Sequence, residues 1–471
     1  MFQDFHLAAF PVFNSRTLRL IVLPLLIVSV GPFHSSAYSG PLGVVAESEL
    51  SAESLDLPVK SPEVQTAIGL YQRGDRQRAL EALQLACQQD KTLPPPPIML
   101  ARMLLFDGRL TEARPLLENS AREFPQFPGT FALLGNIALH EGRIAEAEAL
   151  YEKVVRLAKE GSFAAEQKTQ YASRGFAGLA AVAEIRRDWT SAKAALNSWL
   201  QIGPASAQAR YRLGRALYHL GDRKNAILQL KQAHAADARQ ELPEVTLGDL
   251  ARESQDRDSA DSWYRQAVTE HDQDPRAHLA LASWQFHEGE LENAATNIET
   301  ALKLAPALRQ ARYLSGLIVR QLRRLPQAEQ IFSQLLQDFP ADFPASNQLA
   351  ITLADQKTPE KLQRALQWAE VNVRQYGQRA EALATLGWVQ FQLGRLGDAE
   401  QTLQSAIQGG KALPDTAYYF ARLHAARGRI DEAQNLLQDL LAAPREEFSH
   451  WADAQQWWTH AFAKTVSTPT K

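Results

Sequence analysis

A chain of 471 residues, 45% hydrophobic and 22% charged, has the composition of a soluble globular protein. It is longer than the roughly 250–300 residues over which one hydrophobic core grows, so it is several domains or an extended array. Fifty basic against 53 acidic residues leave a formal charge of −3, which offers no polybasic surface for nucleic acid or anionic lipid. The single cysteine, Cys87, excludes an intrachain disulfide framework and a zinc site built on paired thiolates.

At the N-terminus, Arg16 and Arg19 precede an apolar run over residues 20–30, which Pro24 interrupts and Gly31-Pro32 ends. The run is about half the ~20 residues that a bilayer-spanning helix needs. Ser35 and Ala37 supply small residues at −3 and −1 of a cleavage site. Residues 1–37 therefore read as a secretory signal peptide, and the expected location is exported, periplasmic or secreted. Asp4 and a long leading region keep an uncleaved N-terminal tether as the alternative, which would be the route to a membrane. No cysteine follows the run, which argues against a lipoprotein anchor. Residues 38–61 lack sustained periodicity and read as a leader or linker.

From residue 62 the chain repeats. An alanine followed by helical apolar spacing recurs at Ala79, Ala113, Ala147, Ala192, Ala226, Ala260, Ala294, Ala328, Ala365, Ala399 and Ala433. Eight of the ten separations equal 34, and the other two, 45 and 37, are 34 plus an insertion. A fixed period in this range means stacked supersecondary units. Each unit divides into two helices about a break such as Gly74-Asp75, Gly142-Arg143 or Gly394-Arg395, where glycine lets the chain reverse. Twelve residues before the marker alanine stands a second small residue, such as Ala67, Gly135, Gly214 or Gly316. Small residues on facing helices permit close antiparallel packing.

This pattern resembles the tetratricopeptide repeat. The family's Leu-Gly pair is seen in Leu134-Gly135, Leu213-Gly214, Leu247-Gly248 and Leu386-Gly387, and its alanine is the marker series. Its aromatic residue four positions later is Tyr151, Tyr264 and Phe332, and its closing proline is Pro125, Pro204, Pro306 and Pro340. The resemblance covers repeats one to three over residues 62–157 and repeats four to eleven over 173–445, with an insertion at 158–172 between them. It implies an all-α, right-handed superhelical solenoid of stacked helix–turn–helix repeats. It further implies a concave groove lined by first helices that binds protein or peptide, and no catalysis. Pro115 inside a second helix and the turn at residues 355–360 depart from the pattern. The insertion lengthens the joint between the third and fourth units and makes early proteolytic nicking near residues 160–162 an expectation.

After the last repeat, Phe448, Trp451, Trp458 and Phe462 share a helical face, so residues 446–464 read as a helix capping the exposed end of the array. The alternative for these tryptophans is a sugar-stacking platform. Residues 465–471 read as a tail.

Motifs for chemistry are missing. There is no phosphate-binding loop, no nucleophile elbow, no HExxH and no CxxC, so the expectation is no catalytic residues, no metal and no cofactor. His140, His219 and His287 share one turn position of their repeats, which explains them without ligation. Cys87 reads as a small buried thiol. No N-x-[ST] acceptor occurs.

Transferring the family's groove-facing positions gives Tyr211, Arg215 and Tyr218 in repeat five, Arg252 in six, Phe286 in seven, and Tyr313 and Arg320 in eight. Trp388 and Phe391 follow in repeat ten, and Tyr418 and Arg422 in eleven. Aromatic and Arg side chains carry most interface energy, although each aromatic can equally pack between neighbouring helices. Tyr211 and Arg215 stand where some family members place a carboxylate-binding Lys/Asn clamp, which disfavours capture of a C-terminal carboxylate. The chain therefore reads as a non-catalytic scaffold for a protein or peptide partner, with no nucleic acid. A glycan-binding accessory subunit of an exopolysaccharide or envelope assembly is the alternative.

Overall fold

A computed structural model describes residues 61–377, 379–408, 413–442, 448 and 450–462. The expected signal segment, nearly all of the leader and the tail lie outside these residues.

Among the described residues every regular element is an α-helix, and the helices come in antiparallel pairs. Repeat one is α1 (Pro62–Gln72) with α2 (Arg76–Gln89), and repeat two α3 (Pro96–Phe106) with α4 (Leu110–Glu123). Repeats three and four are α5 (Pro128–His140) with α6 (Ile144–Glu160), and α7 (Ala165–Ile185) with α8 (Trp189–Ile202). Repeats five and six are α9 (Ala207–His219) with α10 (Arg223–Ala236), and α11 (Pro243–Glu253) with α12 (Arg257–Glu270). Repeats seven and eight are α13 (Pro275–Glu288) with α14 (Leu291–Leu304), and α15 (Arg309–Gln321) with α16 (Leu325–Asp338). Repeats nine and ten are α17 (Phe343–Asp355) with α18 (Pro359–Tyr376), and α19 (Ala380–Gln392) with α20 (Leu396–Ile407). Repeat eleven is α21 (Pro414–Ala426) with α22 (Ile430–Ala442), and α23 (Trp451–Ala461) follows it. The result is the expected all-α solenoid of stacked helical hairpins. No described helix is long and apolar enough to cross a membrane.

The hairpin turn follows from two residues. Five positions before most marker alanines the backbone is left-handed, at Gly74, Gly108, Gly142, Gly221, Gly289, Gly394 and Gly428. Glycine adopts this conformation without a Cβ clash. Arg187, Gln255 and Arg323 take the same conformation in repeats four, six and eight, and Lys357 in repeat nine. In four repeats the next residue is an aspartate (Asp75, Asp188, Asp222 or Asp256) whose side chain caps the second helix.

The marker alanines are fully buried in all eleven repeats. Opposite them, the first helices present Ala67, Ala101, Ala180, Ala282, Ala350 or Ala421, equally buried, or a glycine. Apolar clusters succeed one another along the array, as expected where each repeat touches mainly its neighbours. The last cluster runs from Val319 to Phe462, so Phe448, Ala454 and Phe462 share one core with repeats eight to eleven.

The insertion is not a long loop. It is absorbed as extra helical turns: α6 has 17 residues and α7 has 21, leaving a short break after Glu160. Tyr171 is buried there, edge-on to Phe127 at 5.5 Å and to Phe163 at 5.4 Å. The aromatic contacts sit beside a break whose Ser162 and Ala164 are exposed.

Candidate functional site

Successive first helices touch one another along one face of the stack, as in α5–α7, α13–α15, α15–α17, α17–α19 and α19–α21. Side chains at matching positions of the first helices lie on this one face.

In repeats five to eight much of the candidate set is accessible. Tyr211 of α9 is half-buried against the core of repeats four to six, and burial pushes its phenol up. Arg215, one turn on, reaches Glu253 at 4.0 Å. Arg252 of α11 is exposed, 3.8 Å from Asp249. Phe286 of α13 and Tyr313 of α15 are half-buried, with the Tyr313 ring 6.0 Å from that of Phe332. Burial raises the Tyr313 phenol as well, so both tyrosines stand as neutral hydroxyls.

Four candidates, expected as partner-facing side chains, are buried in this structure. Tyr218 is 4% exposed and lies beneath the Arg223 guanidinium, 3.2 Å from the ring centroid. Arg320, Trp388 and Tyr418 are 4%, 3% and 3% exposed. Their cover is the chain's own C-terminal segment. His450 enters between the first helices of repeats eight to eleven, with a side chain 1% exposed. Its Nδ1 is 2.7 Å from Asp415 Oδ1, and the same carboxylate oxygen accepts the His450 backbone N–H at 3.1 Å. Arg320 Nη2 lies 2.9 Å from His450 Nε2 and donates to Asp355 Oδ2 at 2.8 Å. The same Nε2 lies 3.3 Å from Asp355 Oδ2, so the imidazole sits between two carboxylates and a guanidinium. Trp388 Nε1 donates to the other Asp355 oxygen at 3.0 Å.

Aromatic rings enclose this polar core. The Tyr418 ring stacks on His450 at 5.2 Å and meets Phe448 at 5.8 Å and Trp457 at 6.3 Å. Trp388 stacks on Tyr419 at 4.6 Å and on Phe391 at 5.3 Å, and Arg422 lies 4.7 Å over Trp457. Arg323 pairs with Asp453 of α23. Burial pushes the Tyr418 phenol up to about 12 and carries that of Tyr419 well above its usual range. Burial also works against the charge on Asp355, yet His450 and Arg320 outweigh it and hold the carboxyl well below the usual carboxylate range.

His450, Asp355, Asp415 and Tyr419 are the members that sequence reasoning missed. The signal for His450 was its place in Phe448-Ser-His450-Trp451, at the start of the aromatic face. Of that face, Phe448 and Phe462 are buried, while Trp457, rather than Trp458, engages Tyr418 and Arg422.

Other reactive groups have structural partners. The half-buried Cys87 thiol donates to the Pro94 carbonyl at 3.3 Å, and burial pushes it up. His219 stacks on Trp189 at 4.0 Å. Among the described residues, Glu244, Glu270 and His271 have donor atoms close enough to share a metal ion. The Lys231 ammonium already sits 3.3 Å from both carboxylates, so the cluster is closed as an ion-pair network.

Sequence models of the tetratricopeptide repeat match residues 98–162, 207–238, 245–343 and 391–457. The cellulose synthase operon protein C of Pseudomonas fluorescens is 32% identical over 148 residues, which are 31% of this chain and 11% of that protein. The chain thus matches only a small part of that relative's length. A tetratricopeptide repeat protein from Parabacteroides merdae is 17% identical with a TM-score of 0.42, covering 53% of this chain and 97% of that one. Yeast Tom70 is 12% identical with a TM-score of 0.35, covering 86% and 96%.

Proposed function

Because this chain belongs to the tetratricopeptide repeat family, a fold of generally non-catalytic interaction scaffolds, we propose that it is a non-enzymatic scaffold holding a partner protein segment along its first-helix face. The observation that carries this reading is the run of accessible side chains on successive first helices: Tyr211 and Arg215, then Arg252, Phe286 and Tyr313. Aromatic and guanidinium groups supply contact area with directional hydrogen bonds, and spacing them by one repeat suits an extended or helical segment.

The signal-like N-terminal stretch supports a place in the periplasm, cell envelope or secreted space. The likeness to a cellulose synthase operon protein supports work within an assembly of that kind. It also supports a second reading, in which the aromatics bind the glycan directly.

Site-specific photo-crosslinking from positions 211, 252 and 313 of the full chain, in its native envelope, tests both. The scaffold reading expects one protein partner from all three positions, and its loss when Arg215 and Arg252 are replaced by Ala. Retention on polysaccharide with no protein adduct selects the glycan reading.

A further inference from the structure

The C-terminal segment occupies the positions where, on the reading above, a partner would lie in repeats eight to eleven. Arg320, Trp388, Tyr418 and Arg422 stand at the groove-facing positions of their repeats, and each touches Phe448, His450 or Trp457. Arg320 and His450 are 130 residues apart in sequence. The segment therefore returns across three repeats, farther than is needed to cover the end of α22.

The pocket is chemically selective. It presents the Arg320 guanidinium and the Asp355 carboxylate at one end and the Asp415 carboxylate about one imidazole width away. A carboxylate there would face Asp355 and Asp415, and a single ammonium nitrogen would reach only one end. An imidazole places a ring nitrogen at each end, with an aromatic side chain two residues earlier seated against Tyr418. By contrast, α23 itself is shallowly held: within its 11 residues only Ala454 is buried. An element with few buried contacts opens before the repeats it covers.

We propose that the first-helix face of repeats eight to eleven is a peptide-recognition site for an aromatic-x-His segment, filled in cis by Phe448, His450 and Trp457. A partner segment of that chemistry gains the site by displacing them. This rests on the scaffold reading but concerns a different stretch of the face, so crosslinking from position 211 fails or succeeds independently of it.

The test uses the full-length chain and a fluorescent peptide of residues 448–462. A segment held in cis lowers the apparent affinity for the same segment in trans by the fraction of open chains. The wild type is expected to bind the peptide at least about tenfold more weakly than a His450→Ala, Trp457→Ala variant of the full chain. A peptide carrying the His450→Ala change is expected to bind neither. Hydrogen exchange on the variant should rise in α23 while α15 to α22 keep wild-type protection. Equal uptake by both chains, or none by the variant, overturns the proposal. So does loss of protection throughout repeats eight to eleven, which would make the segment a structural cap. Dimerisation of the wild type that His450→Ala abolishes would show exchange of the segment between copies and overturn the cis assignment.

Discussion

The ring of Phe332 lies 2.5 Å from the point where a Cβ on Gly316 would stand. The two residues are on facing helices of repeat eight, and the same pair recurs as Gly135 with Tyr151 and Gly248 with Tyr264, both at 2.8 Å. Where the second helix carries leucine at this position the first carries either residue: Ala67 faces Leu83 and Ala101 faces Leu117, whereas Gly214 faces Leu230 and Gly387 faces Leu403 at 2.7 Å. All three aromatic residues thus face a glycine, because the ring takes the volume that a methyl group would need.

Gly316→Ala should therefore overpack repeat eight and cost roughly 1–3 kcal/mol despite alanine's better helix propensity. Phe332→Leu in the same chain should recover most of that loss. Denaturant unfolding of the two single variants and the double variant gives the coupling directly. Additive effects would show that the contact is not what selects glycine.

The left-handed turn position offers a gain instead. Gln255 holds φ at 60° without being glycine. The conformation costs an L-residue about 1–2 kcal/mol, and glycine's extra unfolded-state entropy returns about half of that. Gln255→Gly should stabilise repeat six by up to about 1 kcal/mol, and Gly221→Ala should destabilise repeat five although open space surrounds its Cβ position. Local hydrogen exchange at the two turns reads both effects.

Much of this was legible because period and small-residue spacing are local properties. Each marker alanine lies within one hairpin of its partner, so register alone places it in the core. The groove set was legible only as positions. Tyr211 and Arg252 stand at an accessible face, whereas Trp388 and Tyr418, chosen by the same rule, are covered by a segment that comes from beyond the repeats. No periodicity encodes that return. The insertion was legible as extra length but not as helix: residues 158–172 extend both neighbouring helices, and Phe163 packs on Tyr171 across the short break.

That packing makes the joint between repeats three and four testable. The wild type should be cut no faster after Glu160 than at other turns in limited proteolysis. Tyr171→Ala removes a buried ring, a change worth roughly 3–5 kcal/mol in comparable cores, and should expose the break to early cleavage. Fast cutting of the wild type at this break would show an open joint.

The last expectation concerns acid. Burial alone would raise the Asp355 carboxyl, but the charges and hydrogen bonds of His450 and Arg320 bring it well below its ordinary value of 3.8. A carboxylate lowered on folding contributes stability that is present above its unfolded value and lost as pH falls through the folded one. The groups facing this site are Arg320, which stays charged, the Tyr419 phenol, which stays neutral, and Asp415 on the far side of His450. The Asp355 contribution should therefore be intact above about pH 4 and decline below it, loosening the C-terminal segment first because its imidazole shares the carboxylate. In Asp355→Asn the acid-dependent part should shrink, while the neutral-pH stability of repeats eight to eleven falls because Arg320 loses its charge partner. Exchange of the Trp388 indole proton, followed by NMR from pH 6 to pH 2 in both chains, measures this directly. Identical acid profiles for the two chains would remove Asp355 as the group that ties the segment down.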